Sequence, residues 1–335
     1  MTDRIAIIGG GIMGLSCAWR LAQKGAQVTV YDSPSATKSA SWAAAGMLGP
    51  TYESLHQDKA HPALALLCQT SAQLWPDFSD ELEAASGLSI GYYRGPTLAL
   101  ALRPREATKL ASLENFNKAE RTGRDISMMS DRVIASKWLN ADGWVNNRRV
   151  LDALGTLMPR IGVTLIPQRI DAGDADLRAY DKVLFTQGHA AGYGVKPVKG
   201  VMLAFARQGG LGVDYVIRCG AEYAVPRGEQ LLIGATLGEV ADPVSYLIDR
   251  AQCFLPAVAD MPIQDHWSGY RPATFDHAPF LGQLADPRHF IAAGHYRNGI
   301  LLAPITAQLL SACILGEAPP EYFQSFAPDR AMEAV

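Results

Sequence analysis

The chain has 335 residues, 48% of them hydrophobic and 19% charged, with a formal net charge of −3 at pH 7. That length suits two domains, or one large α/β unit with an inserted sheet, and the slightly acidic balance argues against nucleic acid or an anionic membrane surface as the main partner. Cys17, Cys68, Cys219, Cys253 and Cys313 are odd in number and lack C-x-x-C spacing, and the histidines show no ligand spacing, so reduced thiols are expected rather than disulfides or a metal site.

The predicted elements begin with Arg4 to Ile8, an apolar run suited to a strand buried on both faces. A glycine turn follows, then a helix from Ile12 to Lys24 with Leu15, Ala18, Trp19 and Ala22 on one stripe. Gly25 ends it where a left-handed residue is wanted. Gln27 to Tyr31 is a second strand, with Asp32 at its carboxyl end. The apolar start is broken by four glycines, so it reads as strand, turn and helix rather than as a signal peptide. No run approaches the ~20 apolar residues of a membrane helix, and a cytoplasmic location is expected.

Ser33 to Ser41 is a polar loop leading into Ala43-Ala44-Ala45-Gly46-Met47-Leu48-Gly49. His61 to Ser86 reads as helical, with Leu64, Leu67, Leu74 and Leu82 toward the core and Pro76 as an interruption. Thr97 to Leu102 is a strand, Arg105 to Thr122 a charged helix and Asn147 to Ile161 another helix. Strands follow at Val163 to Ile166 and at Lys182 to Phe185, the second ending in Thr186-Gln187-Gly188. From Val201 to Ala235 the pattern changes to short β-like runs: Val201 to Ala206, Tyr215 to Arg218, Tyr223 to Val225 and Leu231 to Ala235. These predict a mixed or antiparallel sheet inserted into the first unit. Phe290 to Ala293 is a last strand and Gly299 to Leu315 a closing helix, and the proline-rich tail after Glu317 is expected to pack loosely.

The spacing Gly9-Gly10-Gly11-Ile12-Met13-Gly14 has a chemical reason. Gly9 permits a sharp turn, Gly11 lets the backbone approach a phosphate, and Gly14 lets the helix sit close to the strands. The helix N-terminus then offers free N–H groups to a pyrophosphate. Asp32, 18 residues after Gly14, can accept hydrogen bonds from ribose hydroxyls. The motif serves FAD and NAD alike, whereas an acid at this position disfavours NADP.

An anionic substrate would be met by arginine, whose planar fork makes two parallel bonds to a carboxylate. Arg227, Arg271 and Arg297 sit in glycine- or proline-marked segments. Tyr223 lies in Glu222-Tyr223-Ala224-Val225-Pro226-Arg227, and His295 just before Arg297. From the residues alone the reading is a nucleotide-binding oxidoreductase that could take an anionic substrate.

Four motifs in order carry a more specific resemblance: Ile8 to Gly14, Ala43 to Gly49, Gly269-Tyr270-Arg271-Pro272, and Gly294-His295-Tyr296-Arg297-Asn298-Gly299-Ile300-Leu301-Leu302-Ala303-Pro304. From Ile5 to about Glu317 the chain resembles the D-amino-acid-oxidase-like flavoenzyme family, and within it the glycine-oxidising branch linked to thiamine biosynthesis. The resemblance implies an α/β, Rossmann-like FAD-binding domain (1–85, 140–198 and 268–328) with an inserted mixed or antiparallel-sheet substrate domain (86–139 and 199–267). It implies non-covalent FAD, no metal, a small amino-acid or amine substrate and O2 as electron acceptor; a homo-oligomer stays open.

By motif position, Gly9, Gly11, Ile12, Met13, Gly14, Asp32 and Ser33 would line the ADP half of the cofactor. Ala40, Ser41, Ala45, Gly46 and Met47 would pass along the pyrophosphate and ring, and the Ile170 backbone would meet adenine. His295, Tyr296, Arg297, Asn298, Gly299, Ile300 and Leu301 would wrap the flavin ring. Arg271 and Arg297 match positions that meet a substrate carboxylate, and Tyr223 a position in the substrate pocket. The implied reaction is oxidation at Cα to an imine, giving glyoxylate, ammonia and H2O2 from glycine. Three departures stand out: Trp42 before the alanine run, Leu237 in place of a methionine, and a short segment from Gly188 to Lys196. A D-amino-acid or sarcosine-type oxidase and a nicotinamide-dependent dehydrogenase are the competing readings.

Overall fold

The N-terminal apolar run forms strand β1 (Arg4–Ile8), followed by α1 (Ile12–Gln23) and β2 (Gln27–Tyr31). This is a computed structural model, and it describes residues 2–33, 39–55, 61–115, 128–171, 173–189, 193–207 and 213–331. Ile5 and Ile7 of β1 pack into one core while Ala6 and Ile8 pack into another, so the strand is covered on both faces and shows no alternation of polarity. Gly25, at φ 89°, turns the chain from α1 into β2.

Next come α2 (Ala40–Ala43), β3 (Met47–Leu48), α3 (Pro50–Ser54) and α4 (Ala63–Ser86). The polar loop expected up to Ser41 therefore ends in a short helix, and residues 34–38 lie outside the described residues. Pro76 does not interrupt α4. Burial of Leu64, Leu67, Trp75, Phe78 and Leu82 holds the helix across the missing N–H, and Ser71 Oγ and Trp75 Nε1 both donate to the Leu301 carbonyl, at 2.6 and 2.9 Å.

β4 (Tyr93–Arg94), β5 (Thr97–Ala101), α5 (Pro104–Ala111), β6 (Ala135–Leu139), β7 (Gly143–Trp144), α6 (Asn147–Arg160), β8 (Thr164–Ile166) and β9 (Lys182–Gly188) follow. The charged helix expected to Thr122 gives way at Ser112 to a single 3-10 turn, and residues 116–127 lie outside the described residues. Glu106 closes the start of α5 by accepting from the Leu102 and Arg103 backbones.

The last third holds β10 (Lys196–Ala206), β11 (Val216–Cys219), β12 (Glu222–Arg227), β13 (Gln230–Gly234), α7 (Pro243–Gln252), β14 (Ile263–Ala273), β15 (Phe280–Gln283), β16 (His289–Ala293) and α8 (Ala303–Ile314). α8 starts four residues later than Gly299, because Gly299 to Leu302 make the turns that aim the helix. The tail is not loose: Phe323 and Phe326 are buried and Arg330 pairs with Asp276 at 3.1 Å.

The strands form a six-stranded sheet, β15-β16-β9-β1-β2-β8, a seven-stranded sheet, β14-β10-β13-β12-β11-β5-β6, and a small sheet, β3-β7-β4. In the first sheet every pairing is parallel except β15 with β16. In the second every pairing is antiparallel except β5 with β11. One face of the large sheet, carrying Val201, Leu203, Phe205, Ile217 and Ile233, packs with α7. The opposite face turns Met202, Ala204, Tyr223 and Trp267 toward Ala43 and Ala45. Among the described residues no helix is long and apolar enough to cross a membrane.

Candidate active site and cofactor cradle

A cavity, about 1210 Å³ of empty space with the open solvent at its mouth included, lies between the α1 N-terminus, the Ala40–Gly49 segment, the inner face of the large sheet and the loop before α8.

The cradle is built from glycine. A Cβ on Gly14 would run into the Gly9 carbonyl and stand 2.8 Å from Thr186 Oγ1, so α1 touches the strands where only glycine fits. Thr186 Oγ1 fixes this turn by donating to the Gly9 carbonyl at 2.7 Å. Gly11 caps α1 with no side-chain hydrogen bond, leaving the N-terminal amides open toward the cavity, apart from the Ile12 N–H that donates to Ser41 Oγ at 3.1 Å. Open amides over a side-chain-free floor are what a pyrophosphate requires, so these residues fit a dinucleotide cofactor.

Gly11, Ile12, Met13, Ala40, Ser41, Ala45, Gly46 and Met47 line the cavity, as do His295 to Ile300. Gly9, Gly14 and Leu301 lie just behind it; Leu301 is buried, with its carbonyl turned to α4. Asp32 sits beside Gly10, whose added Cβ would come within 2.9 Å of its carboxylate. Burial pushes the Asp32 carboxyl above its usual range, against hydrogen bonds from the Gly10 and Ser33 backbones. Ile170 is buried on the far side of β1, and its carbonyl accepts from Gln187 Nε2 at 3.3 Å. Asn147, absent from the sequence reading, holds the Ala40–Gly49 segment by donating to the Ser41 and Trp42 carbonyls at 2.7 and 3.1 Å.

The substrate side is a single rung of the large sheet. Arg218 pairs with Tyr223, Tyr223 with Gly234, Gly234 with Met202, and Met202 with Trp267. Directly opposed residues share a face, and of this row Arg218, Tyr223 and Met202 line the cavity. Gly234 leaves the gap into which Tyr223 and Met202 lean, and Tyr223 Oη donates to Met202 Sδ at 3.1 Å. Arg271 projects from β14 across Gly200, and its Nη1 donates to the Thr236 and Lys199 carbonyls at 3.1 and 3.4 Å. Among the described residues no carboxylate lies within 4 Å of it.

Arg297 reaches the cavity from the loop before α8 and meets an acid that the sequence reading missed. Its Nη2 is 3.5 Å from Glu53 Oε1, and the same oxygen is 2.6 Å from Arg218 Nη2. The Glu53 carboxylate holds the Arg297 guanidinium above its ordinary value, against the opposing effect of burial. Glu53 rides on α3, whose first turn is held by Asp142, with Thr51 and Tyr52 N–H donating at 2.9 and 3.2 Å. Burial pushes the Asp142 carboxyl up to about 6 despite those bonds. Nothing in the spacing ties Glu53 to Arg297, but Arg218 was visible as a charge inside an apolar strand run.

The loop itself is clamped. Tyr296 and His277, at φ 48° and 62°, are non-glycine residues in left-handed backbone, and their rings stack at 4.5 Å. Such strain persists where neighbours over-determine it. Here Tyr296 N–H donates to the Pro272 carbonyl at 2.8 Å and Ala273 bridges to His295. His295 is buried against Thr306, 3.3 Å away, and burial pushes its imidazole down to about 3.

Two of the earlier candidates face elsewhere. Arg227 does not line the cavity; it lies over Trp267, 5.3 Å from the ring. Trp42 also turns away, packing edge-on to Trp267 with Arg148 at 3.5 Å over its ring. Leu237 does line the cavity, half exposed at its mouth. Of the short Gly188 to Lys196 segment, residues 190–192 lie outside the described residues.

A family model described as DAO, FAD dependent oxidoreductase, matches residues 4–313, which removes the nicotinamide alternative left open by the glycine motif. The bifunctional protein ThiO/ThiG of Synechocystis sp. is 34% identical over 98% of this chain and 54% of its own length, so the chain spans about half of that relative. The glycine oxidase of Geobacillus kaustophilus is 29% identical over 93% of each chain. The crystal structure of glycine oxidase from Geobacillus kaustophilus superposes with a TM-score of 0.87 at 26% identity, covering 98% of this chain and 99% of the other. With its glycine cradle, its cavity and this match from one end to the other, the chain belongs to the FAD-dependent oxidoreductase family.

Proposed function

We propose that the chain oxidises glycine, or another small primary or secondary amino acid, at Cα, and that the product feeds thiazole formation in thiamine biosynthesis. The balanced reaction for glycine is glycine + O2 + H2O → glyoxylate + NH3 + H2O2. The observation that carries this reading is the convergence of Arg271 and Arg297 on the cavity that the α1 N-terminus opens into. The names of the relatives, glycine oxidase and ThiO/ThiG, support the substrate and the pathway. We place the reaction in the cytoplasm, with residues 1–85, 140–198 and 268–328 holding cofactor and 86–139 and 199–267 shaping the substrate side.

Gly9, Gly11, Ile12, Met13, Gly14, Asp32, Ser33 and Ile170 would hold the ADP half of FAD. Ala40, Ser41, Ala45 to Met47 and His295 to Leu301 would hold the remainder. Bound FAD supplies a two-electron acceptor, with O2 as its oxidant. The protein's own task is placement. Arg271, fixed by two backbone carbonyls, presents its remaining N–H groups to the substrate carboxylate, and Arg297 takes a second contact. Tyr223 and Met202 bound the space above. His295, neutral across the working range, adds no competing charge beside the substrate. No side chain is needed as a strong base, because holding Cα in reacting geometry is itself worth several kcal/mol.

The test is anaerobic addition of glycine, sarcosine, D-alanine and D-proline to the FAD-loaded protein. Bleaching of the flavin band by glycine or sarcosine is expected. A larger D-amino acid as the best substrate would move the reading to the neighbouring oxidases, and no bleaching by any of them would end it.

A further inference from the structure

Arg227 ends β12 on the face that carries Tyr223 and Val225, yet it stops short of the cavity. A second arginine, Arg148 from the first turn of α6, shares its surroundings. Both guanidinium carbons lie against the Trp267 ring, Arg227 at 5.3 Å and Arg148 at 4.5 Å from its centroid, and Arg148 also covers Trp42 at 3.5 Å. Ring contacts of this kind engage the face of a guanidinium and leave its in-plane N–H groups to be bonded elsewhere.

Those groups are poorly served. Among the described residues the Arg227 fork makes no hydrogen bond and no ion pair, and its Nη1 is sealed from water as well. Arg148 Nη2 is in the same position, and the bond that fork does make is long, Nε to the Trp42 carbonyl at 3.4 Å. Asp265 of β14 acts on both charges without forming an ion pair, its Oδ1 accepting from the His266 N–H. Burial and the Arg148 charge push the Arg227 guanidinium down to about 10, and burial lowers Arg148 too, in each case against Asp265. Two cations on one ring, with buried N–H groups unbonded, are destabilising unless an anion meets them.

We propose that Arg227 and Arg148 form an oxyanion site, separate from the substrate cavity, whose ligand is a phosphate, free or as a small monoester. Both side chains are partly exposed, so a ligand can reach them from solvent, and each fork has N–H groups to spare for it. Two cations match a dianion better than a single carboxylate, which is why phosphate is the class assigned. An occupied site steadies the cofactor segment: Arg148 Nε holds the Trp42 carbonyl, Trp267 Nε1 the Ala43 carbonyl at 2.9 Å, and Ala43 lines the cavity.

The test is calorimetric titration of the FAD-loaded protein with inorganic phosphate and with glycerol phosphate, at an ionic strength held constant with chloride. Saturable binding is expected, and the tighter of the two ligands names the source. Arg227→Met should weaken binding by about tenfold or more, the worth of a lost charge-assisted bond. Arg271→Met, inside the substrate cavity, should leave it within about twofold of the wild type. Melting gives a second readout. At a hundredfold excess of ligand over Kd the wild type should gain about 2–4 °C. In phosphate-free buffer Arg227→Met should melt above the wild type, because an unpaired cation is gone, and phosphate should not raise it further. No saturable binding, or binding lost in Arg271→Met but kept in Arg227→Met, overturns the proposal. An Arg227→Met protein that melts below the wild type in phosphate-free buffer, or does not fold, marks an arginine needed for packing and overturns it too.

Discussion

Replacing Gly200 by alanine should disable substrate binding while leaving the fold whole. Gly200 lies in β10 opposite Gly269 of β14, and the guanidinium of Arg271 lies directly across it. A Cβ there would stand 2.5 Å from Arg271 Nη2 and 2.6 Å from its Cζ. Carbon contacts are best at roughly 3.5–4.0 Å, so the guanidinium must retreat by about 1 Å. It then loses its bond to the Thr236 carbonyl at 3.1 Å, which aims it. A displacement of about 1 Å from reacting geometry costs on the order of 10²-fold, or about 3 kcal/mol of transition-state stabilisation. Stability should change little, because Gly200 is not in left-handed backbone and the obstructing atoms end a flexible side chain. Steady-state kcat/KM with glycine and the anaerobic rate of flavin reduction would both report the loss, with thermal melting as the control. Kinetics within twofold of the wild type in a normally folded variant would show that Arg271 does not grip the substrate from this position.

Gly14→Ala should purify without FAD, since its Cβ meets the Gly9 carbonyl, a backbone atom that cannot swing aside; a wild-type flavin-to-protein absorbance ratio would contradict this. Tyr223→Phe should cost only about threefold in kcat/KM, because its hydroxyl donates to the weak acceptor Met202 Sδ; a loss of a hundredfold would mean that the hydroxyl bonds the substrate directly. His295 should make the fold acid-sensitive. Its folded value of about 3 lies below the ~6.5 of an unfolded histidine, so the unfolded chain takes up the proton first. That contribution is complete above pH ~6.5 and falls by about 1.4 kcal/mol per pH unit toward pH ~3. His295→Gln should lack this slope in denaturant unfolding at pH 7 and pH 5, and an unchanged slope would rule the residue out.

The βαβ start was legible because three independent constraints coincide within thirty residues: a strand covered on both faces, a helix pressed onto it, and glycines where the two touch. The inner face of the large sheet was legible only in part. Tyr223 and Arg271 could be picked out by motif, but that Arg218, Tyr223, Gly234 and Met202 form one row follows from strand register, which sequence spacing does not encode. Glu53 was out of reach for a similar reason: it lies 244 residues from Arg297 and meets it only through the placement of α3 by Asp142. Pro76 and the tail misled because local preference was outweighed by burial, of Trp75 and Phe78 in one case and of Phe323 and Phe326 in the other.

One strand does more than carry an arginine. β14 is bonded along its length to β10, donates Trp267 Nε1 to the Ala43 carbonyl at 2.9 Å, and meets His295 through Ala273. The reach from cofactor loop to acid grip is thus set by main chain, like the span of a fixed jaw. Changes of diet among related proteins would then be expected at the side chains facing that jaw, Ala221, Leu237 and Ala235, which can be swapped without altering its gape.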